Sequence, residues 1–351
     1  MKVVSDSFND MHKRRYFNDT MDIINYNRKT IRYTDIIFYF RTLKEIRLKY
    51  PFKELESLFE PLNVYPFYYF MPFLFISDLH DKGQYIERIR YVGIISTLIA
   101  RRAILTDLFV DEQYEQLISR NMGDLKKEYL GYYLQIIDVE INNIASKIFI
   151  EPSSFYAFYN RRFNEYVNTM LMEKDISPLI GMDEGAFKKY AVGKSILHLL
   201  VSDMVLHIIK KQELTHQFDN MMKSFIMYLT LQDDVLDIME DIQKQQPSHF
   251  YPWISDGKII ESIDENVEKA VLLKFYLGGG IERCEDLINK YVEDIITAVK
   301  KINHPLKSWL EVIERMSLKT KDKLDSFKAV RDKLHFFSVT TGVIYGECYF
   351  N

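Results

Sequence analysis

The segment Leu231-Gln232-Asp233-Asp234-Val235-Leu236-Asp237-Ile238-Met239-Glu240-Asp241 places five carboxylates within nine residues of an otherwise apolar run. A helix turns every 3.6 residues, so Asp233, Asp237 and Asp241 at i, i+4 and i+8 stack along one face, with Asp234 and Glu240 beside them. Like charges four residues apart repel and cost stability. A cation offsets that cost. A donor set made only of oxygen suits a hard divalent ion, Mg2+ above all, shared with the phosphates of a substrate. Acidic runs on helices are more often solvated faces, but the residues upstream argue otherwise here. Backwards along the helix the acidic face becomes Thr230, Met227 and Ile226, mainly apolar, whereas a solvated face stays polar along its length. The segment therefore predicts a long helix that lines an apolar pocket and binds metal at its mouth.

A second stripe repeats the design. In Thr106-Asp107-Leu108-Phe109-Val110-Asp111-Glu112-Gln113-Tyr114-Glu115, the acids Asp107, Asp111 and Glu115 again fall at i, i+4 and i+8. The face leading into them carries Gly93, Thr97, Ala100 and Ile104, small or apolar residues that leave space for a ligand. If the two helices run antiparallel, Asp107 and Asp111 face Asp233 and Asp237 across one cavity opening. Such a cavity fits a greasy substrate with a diphosphate head.

These motifs resemble those of the class I isoprenoid enzymes. Gln232-Asp233-Asp234-Val235-Leu236-Asp237 is similar to the second aspartate-rich motif of the trans-prenyl diphosphate synthases. Asp107-Leu108-Phe109-Val110-Asp111-Glu112 resembles a degenerate first motif, with Leu108 in place of its second acid. Tyr190-Ala191-Val192-Gly193-Lys194-Ser195 resembles the mid-chain lysine segment. The resemblance spans roughly residues 85–300 in the family's order. It implies a single large helical bundle with a central apolar cavity, and several Mg2+ ions held by Asp107, Asp111, Asp233, Asp234, Asp237 and Asp241. Of these, Asp107, Asp111, Asp233 and Asp237 carry the catalytic role. A polyprenyl diphosphate would be the substrate, with Lys194, Lys244 and Arg161 against its diphosphate. A homodimer is compatible with this class.

Departures from the family pattern select the reaction. Chain-elongating synthases carry an early Gly-Lys site for a second diphosphate. The first hundred residues hold only Gly83 and Gly93 and no Gly-Lys pair. The expected reaction is that of a terpene synthase, ionisation of one linear diphosphate followed by cyclisation or elimination. A prenyltransferase, chain-elongating or coupling head to head as squalene and phytoene synthases do, is the nearer alternative. A non-catalytic helical interaction protein with solvated acidic stripes is the more distant one.

Composition narrows the classes further. The 351 residues are 47% hydrophobic and 27% charged, with a net charge of −4, which leaves no electrostatic footprint for nucleic acid. Cys284 and Cys348 match no metal or redox spacing. Met1 to Asp6 contains no apolar signal core, and a reducing cytoplasm is the expected location. The longest apolar stretch, Val64 to Ile76, is too short to span a membrane and contains Pro66 and Pro72; it reads as a buried turn. Aromatic residues, 14% of the chain, suit a cavity that handles cations, though a compositional bias produces the same excess.

Helical periodicity runs through about 84–118, 120–148, 154–173, 184–211, 215–245, 262–276, 280–303 and 306–336. Glu151-Pro152-Ser153-Ser154 offers a helix start, and Gly278-Gly279-Gly280 splits a helix pair. Strand-like alternation is lacking. The expectation is one all-α domain over 1–351, with residues 1–60 as a helical cover or lid.

Overall fold

Every described element is helical, and no strand occurs among the described residues. The structure, a computed structural model, describes residues 31–52, 55, 57–60, 67–110, 125–149, 151–175, 184–236, 238, 248–254 and 265–341. The α-helices are α1 (Tyr33–Lys49), α2 (Phe67–Ile76), α3 (Ile86–Val110), α4 (Leu130–Ile148), α5 (Pro152–Asp175) and α6 (Glu184–Lys194). They continue as α7 (Leu197–Ile208), α8 (Thr215–Leu236), α9 (Tyr251–Ile254), α10 (Glu265–Leu277), α11 (Gly280–Lys300) and α12 (Lys307–Thr341). The fold class is an all-α helical bundle. Its described residues form two compact units. The first falls within Met1–Met170, Ile196–His216 and Ile302–Val312, the second within Leu171–Ser195, Gln217–Lys301 and Ile313–Asn351.

In the first unit α3 is the hub, packing against α1, α2, α4 and α7. Its buried residues, among them Ile89, Val92, Ile95, Leu98, Ile99 and Leu105, occupy all sides, as expected of a core helix. The stretch read from sequence as a turn is instead α2. Nine of its ten residues are buried. Pro72 removes one backbone hydrogen bond, at about 3 kcal/mol. Burial of Phe70, Phe73, Leu74 and Phe75 outweighs that, at about 1.5–3 kcal/mol per large apolar side chain. Gly93 is what lets α2 and α3 approach. A Cβ built there would stand 2.5 Å from the Tyr69 carbonyl oxygen and 2.7 Å from its ring.

Buried charges in this unit are paired. Asp35 accepts from Arg90 Nε at 2.6 Å, and the Tyr69 hydroxyl donates to the Asp35 carbonyl at 2.9 Å. Arg162 grips Asp203 with two bonds, Nε to Oδ2 at 2.8 Å and Nη2 to Oδ1 at 3.2 Å, joining α5 to α7. The buried Arg101 guanidinium donates to the Leu58 and Glu60 carbonyls and so ties the segment before α2 to the core.

In the second unit the boundary between α10 and α11 is visible in the sequence. Along α11 the buried positions Ile281, Cys284, Ile288, Tyr291, Ile295 and Val299 recur every three or four residues, one continuous helical face. The glycine triplet divides α10 from α11. Gly279 takes φ +93, and a Cβ at Gly280 would meet the Phe275 carbonyl oxygen at 2.6 Å. That turn needs residues without side chains.

Candidate functional site

The most defined polar constellation in the second unit lies at the acidic end of α8. The helix is wholly buried from Phe225 to Tyr228. One turn later Gln232 donates from Nε2 to the Tyr228 hydroxyl at 2.9 Å and to Thr320 Oγ1 at 2.6 Å, which fixes α8 to α12. The Tyr228 and Thr320 hydroxyls are themselves 2.8 Å apart. Burial raises the Tyr228 phenol well above its ordinary range. Asp233 then emerges to solvent while its neighbour Asp234 stays buried.

Asp234 is held from one side. Its Oδ2 accepts from the His249 backbone N–H at 2.6 Å and lies 2.6 Å from His249 Nδ1. On the far side of the ring, His249 Nε2 stands 2.8 Å from the Tyr291 hydroxyl on α11. Phe187 packs edge-on against the imidazole, with centroids 4.7 Å apart. Asp234, His249 and Tyr291 thus form a buried chain that clamps the segment before α9 between α8 and α11. Cys284, two turns of α11 before Tyr291, is also buried. Burial, with the Asp234 charge as a smaller cause, pushes its thiol up to about 12. Helical periodicity does not point to His249. Periodicity links residues three or four apart, and the partner here is 15 positions away.

In the first unit Asp107 is half-buried near the end of α3. The helix is braced just upstream of it. Arg102 donates to both oxygens of Asp138 on α4, at 2.6 and 3.1 Å, and its guanidinium lies 4.1 Å over the Phe163 ring of α5. The Tyr166 hydroxyl donates to the Ala103 carbonyl at 3.1 Å. At Gly93 and Thr97 the small-residue stripe leading to Asp107 is filled by neighbouring side chains rather than left open. Tyr69 fills the space at Gly93, and Thr97, fully buried, contacts the buried Tyr39 hydroxyl. Small residues on a helix serve close helix packing as readily as they serve a cavity.

The other sequence-predicted positions fall as follows. Arg161, half-exposed, reaches Asp203 Oδ2 at 3.1 Å, sharing that carboxylate with Arg162. Lys194 is the last residue of α6, with its ammonium 6.0 Å from the Tyr190 ring centre. The helix breaks after it at Ser195 and Ile196, so the periodicity expected over 184–211 is divided between α6 and α7. Asp111, Asp237, Asp241 and Lys244 lie outside the described residues.

Of the six proposed metal ligands Asp107, Asp233 and Asp234 are therefore described, the first in one unit and the other two in the other. Among the described residues no group of three or more His, Cys, Asp or Glu side chains could hold a metal ion. No single described helix is long and apolar enough to cross a membrane. Comparison of the chain with family models, with curated proteins and with solved structures finds no match.

Proposed function

We propose that the protein is a class I terpene synthase, ionising one linear polyprenyl diphosphate and releasing pyrophosphate. The observation that carries this reading is the course of α8. Within two turns it passes from a wholly buried segment to Asp233 at the surface, and it is pinned there by the Gln232–Thr320 and Asp234–His249 bonds. An apolar helix that turns an acid to solvent at its end is compatible with a diphosphate site beside an enclosed tail.

The donor set fits Mg2+ in chemistry, since every candidate ligand is a carboxylate. Asp233, Asp237 and Asp241 on one stripe and Asp107 and Asp111 on the other would hold the ions. Asp234 contributes its second oxygen or serves only to orient the helix. Bound Mg2+ supplies Lewis acidity that stabilises the charge of the departing pyrophosphate. Lys194, Lys244 and Arg161 add positive charge around the diphosphate. The allylic carbon–oxygen bond breaks with its electron pair leaving on pyrophosphate. Apolar side chains around the substrate tail would exclude water from the resulting cation. Loss of a proton gives a hydrocarbon, and capture of water gives an alcohol.

The test is incubation of the purified full-length chain with Mg2+ and one allylic diphosphate at a time, of increasing length, followed by product analysis. Cyclic or eliminated products from a single diphosphate are expected. A strict requirement for isopentenyl diphosphate, with a longer linear diphosphate as product, would establish chain elongation instead.

A further inference from the structure

Helix α1 is amphipathic twice over. Its inner face buries Asp35, Tyr39, Leu43 and Ile46. The opposite face holds a second apolar stripe, exposed to solvent: Tyr33 at 76%, Ile37 at 47%, Phe40 at 43% and Leu48 at 69%, continued past the helix end by Phe52 at 64%. At 100° per residue the four helical positions and Lys44 fall within an arc of about 80°, with Arg41 and Arg47 at its two edges. Scattered apolar residues on a surface are ordinary, but several large ones aligned on one helix face mark an interaction site.

Charge identifies the partner. The chain as a whole carries −4, yet the outward side of α1 bears Arg41, Lys44 and Arg47 against Glu45 alone, because Asp35 is turned into the core. Arg41 meets Glu45 at 2.7 Å and Lys49 meets Glu140 at 2.7 Å, while Lys44 stands in the middle of the stripe. Aromatic and aliphatic side chains flanked by basic residues, on a helix too short and too polar to span, define an in-plane interfacial helix. Pairing with a second copy through the same face would set this excess of positive charge against itself.

We propose that the outer face of α1 docks the protein onto an anionic lipid surface, with Tyr33, Ile37, Phe40, Leu48 and Phe52 entering the interface and Arg41, Lys44 and Arg47 contacting head groups. This inference is independent of the proposed reaction.

Flotation or co-sedimentation of the full-length protein with vesicles tests it. One set is neutral phosphatidylcholine and the other is mixed with an anionic phosphatidylglycerol. Binding about tenfold tighter or more to the anionic set is expected, weakening as salt is raised. Ile37→Glu combined with Leu48→Glu should abolish binding and leave the circular dichroism spectrum and Tm unchanged, since both positions are exposed. Leu318→Glu, at an exposed position on α12, should bind like the parent. Lys44→Glu should remove most of the preference for anionic lipid. Equal or absent binding to both vesicle sets would overturn the proposal, as would full binding by the double variant. A parent dimer in light scattering that the double variant converts to monomer, without vesicle binding by either, would assign the face to self-association and also overturn it.

Discussion

Gly93 separates two readings of α3. If the stripe beside it were open space for a ligand, Gly93→Ala would stabilise the helix by about 1 kcal/mol through propensity alone. The Tyr69 carbonyl occupies that space, and a backbone atom at 2.5 Å cannot swing aside. Gly93→Ala should therefore destabilise the protein by about 1–3 kcal/mol in urea denaturation. The two neighbouring acids of α8 should part in the same measurement. Asp234→Ala strands the buried His249 N–H and should cost about 2–3 kcal/mol, whereas Asp233→Ala, at the surface, should cost less than about 1 kcal/mol. Alkali should find a third residue. The Cys284 thiol ionises near 9.0 when unfolded and at about 12 in the fold. Between those values the unfolded chain loses its proton and the folded chain keeps it, so this contribution to stability is complete below pH 9 and lost as pH rises towards 12. Cys284→Ala should flatten that decline in pH-dependent denaturation curves.

Among elements, the joint between α5 and α7 carries the clearest energetic contrast. Removing Arg162 leaves Asp203 buried with only its bond from the half-exposed Arg161, and Arg162→Met should cost about 3–5 kcal/mol. Arg161→Met should cost less than about 1 kcal/mol, because its guanidinium is half in water. Urea midpoints of the two variants provide the comparison. The helices themselves were legible in the sequence because 3.6-residue periodicity is local: α8, α10 and α11 begin where the apolar spacing puts them, while α4, expected from 120, begins at Leu130 after a short turn. One exception is decided by packing: Pro72 signals a break that the burial of α2 overrides. The other has a local signal, because Gly193 and Ser195, residue types that end or cap helices, flank the stop at Lys194.

At the scale of the whole molecule, the all-α class followed from composition and period, but the wiring of the candidate site did not. Asp233 and Asp234 are adjacent and chemically identical in sequence. Only the fold turns one to solvent and the other to His249. The same holds for Arg161, expected against the diphosphate, which shares one buried carboxylate with Arg162. The metal-dependent chemistry proposed for these acids is tested most directly by pyrophosphate release from a single allylic diphosphate, measured for the parent and for Asp237→Asn. The parent should release pyrophosphate with Mg2+ and stop when EDTA is added. Asp237→Asn should lose turnover with an equal or higher Tm, because removing one of several clustered like charges relieves repulsion in the metal-free protein. Release that continues in the variant, or that withstands EDTA, would contradict the reading, and so would a parent that turns over no allylic diphosphate of any length.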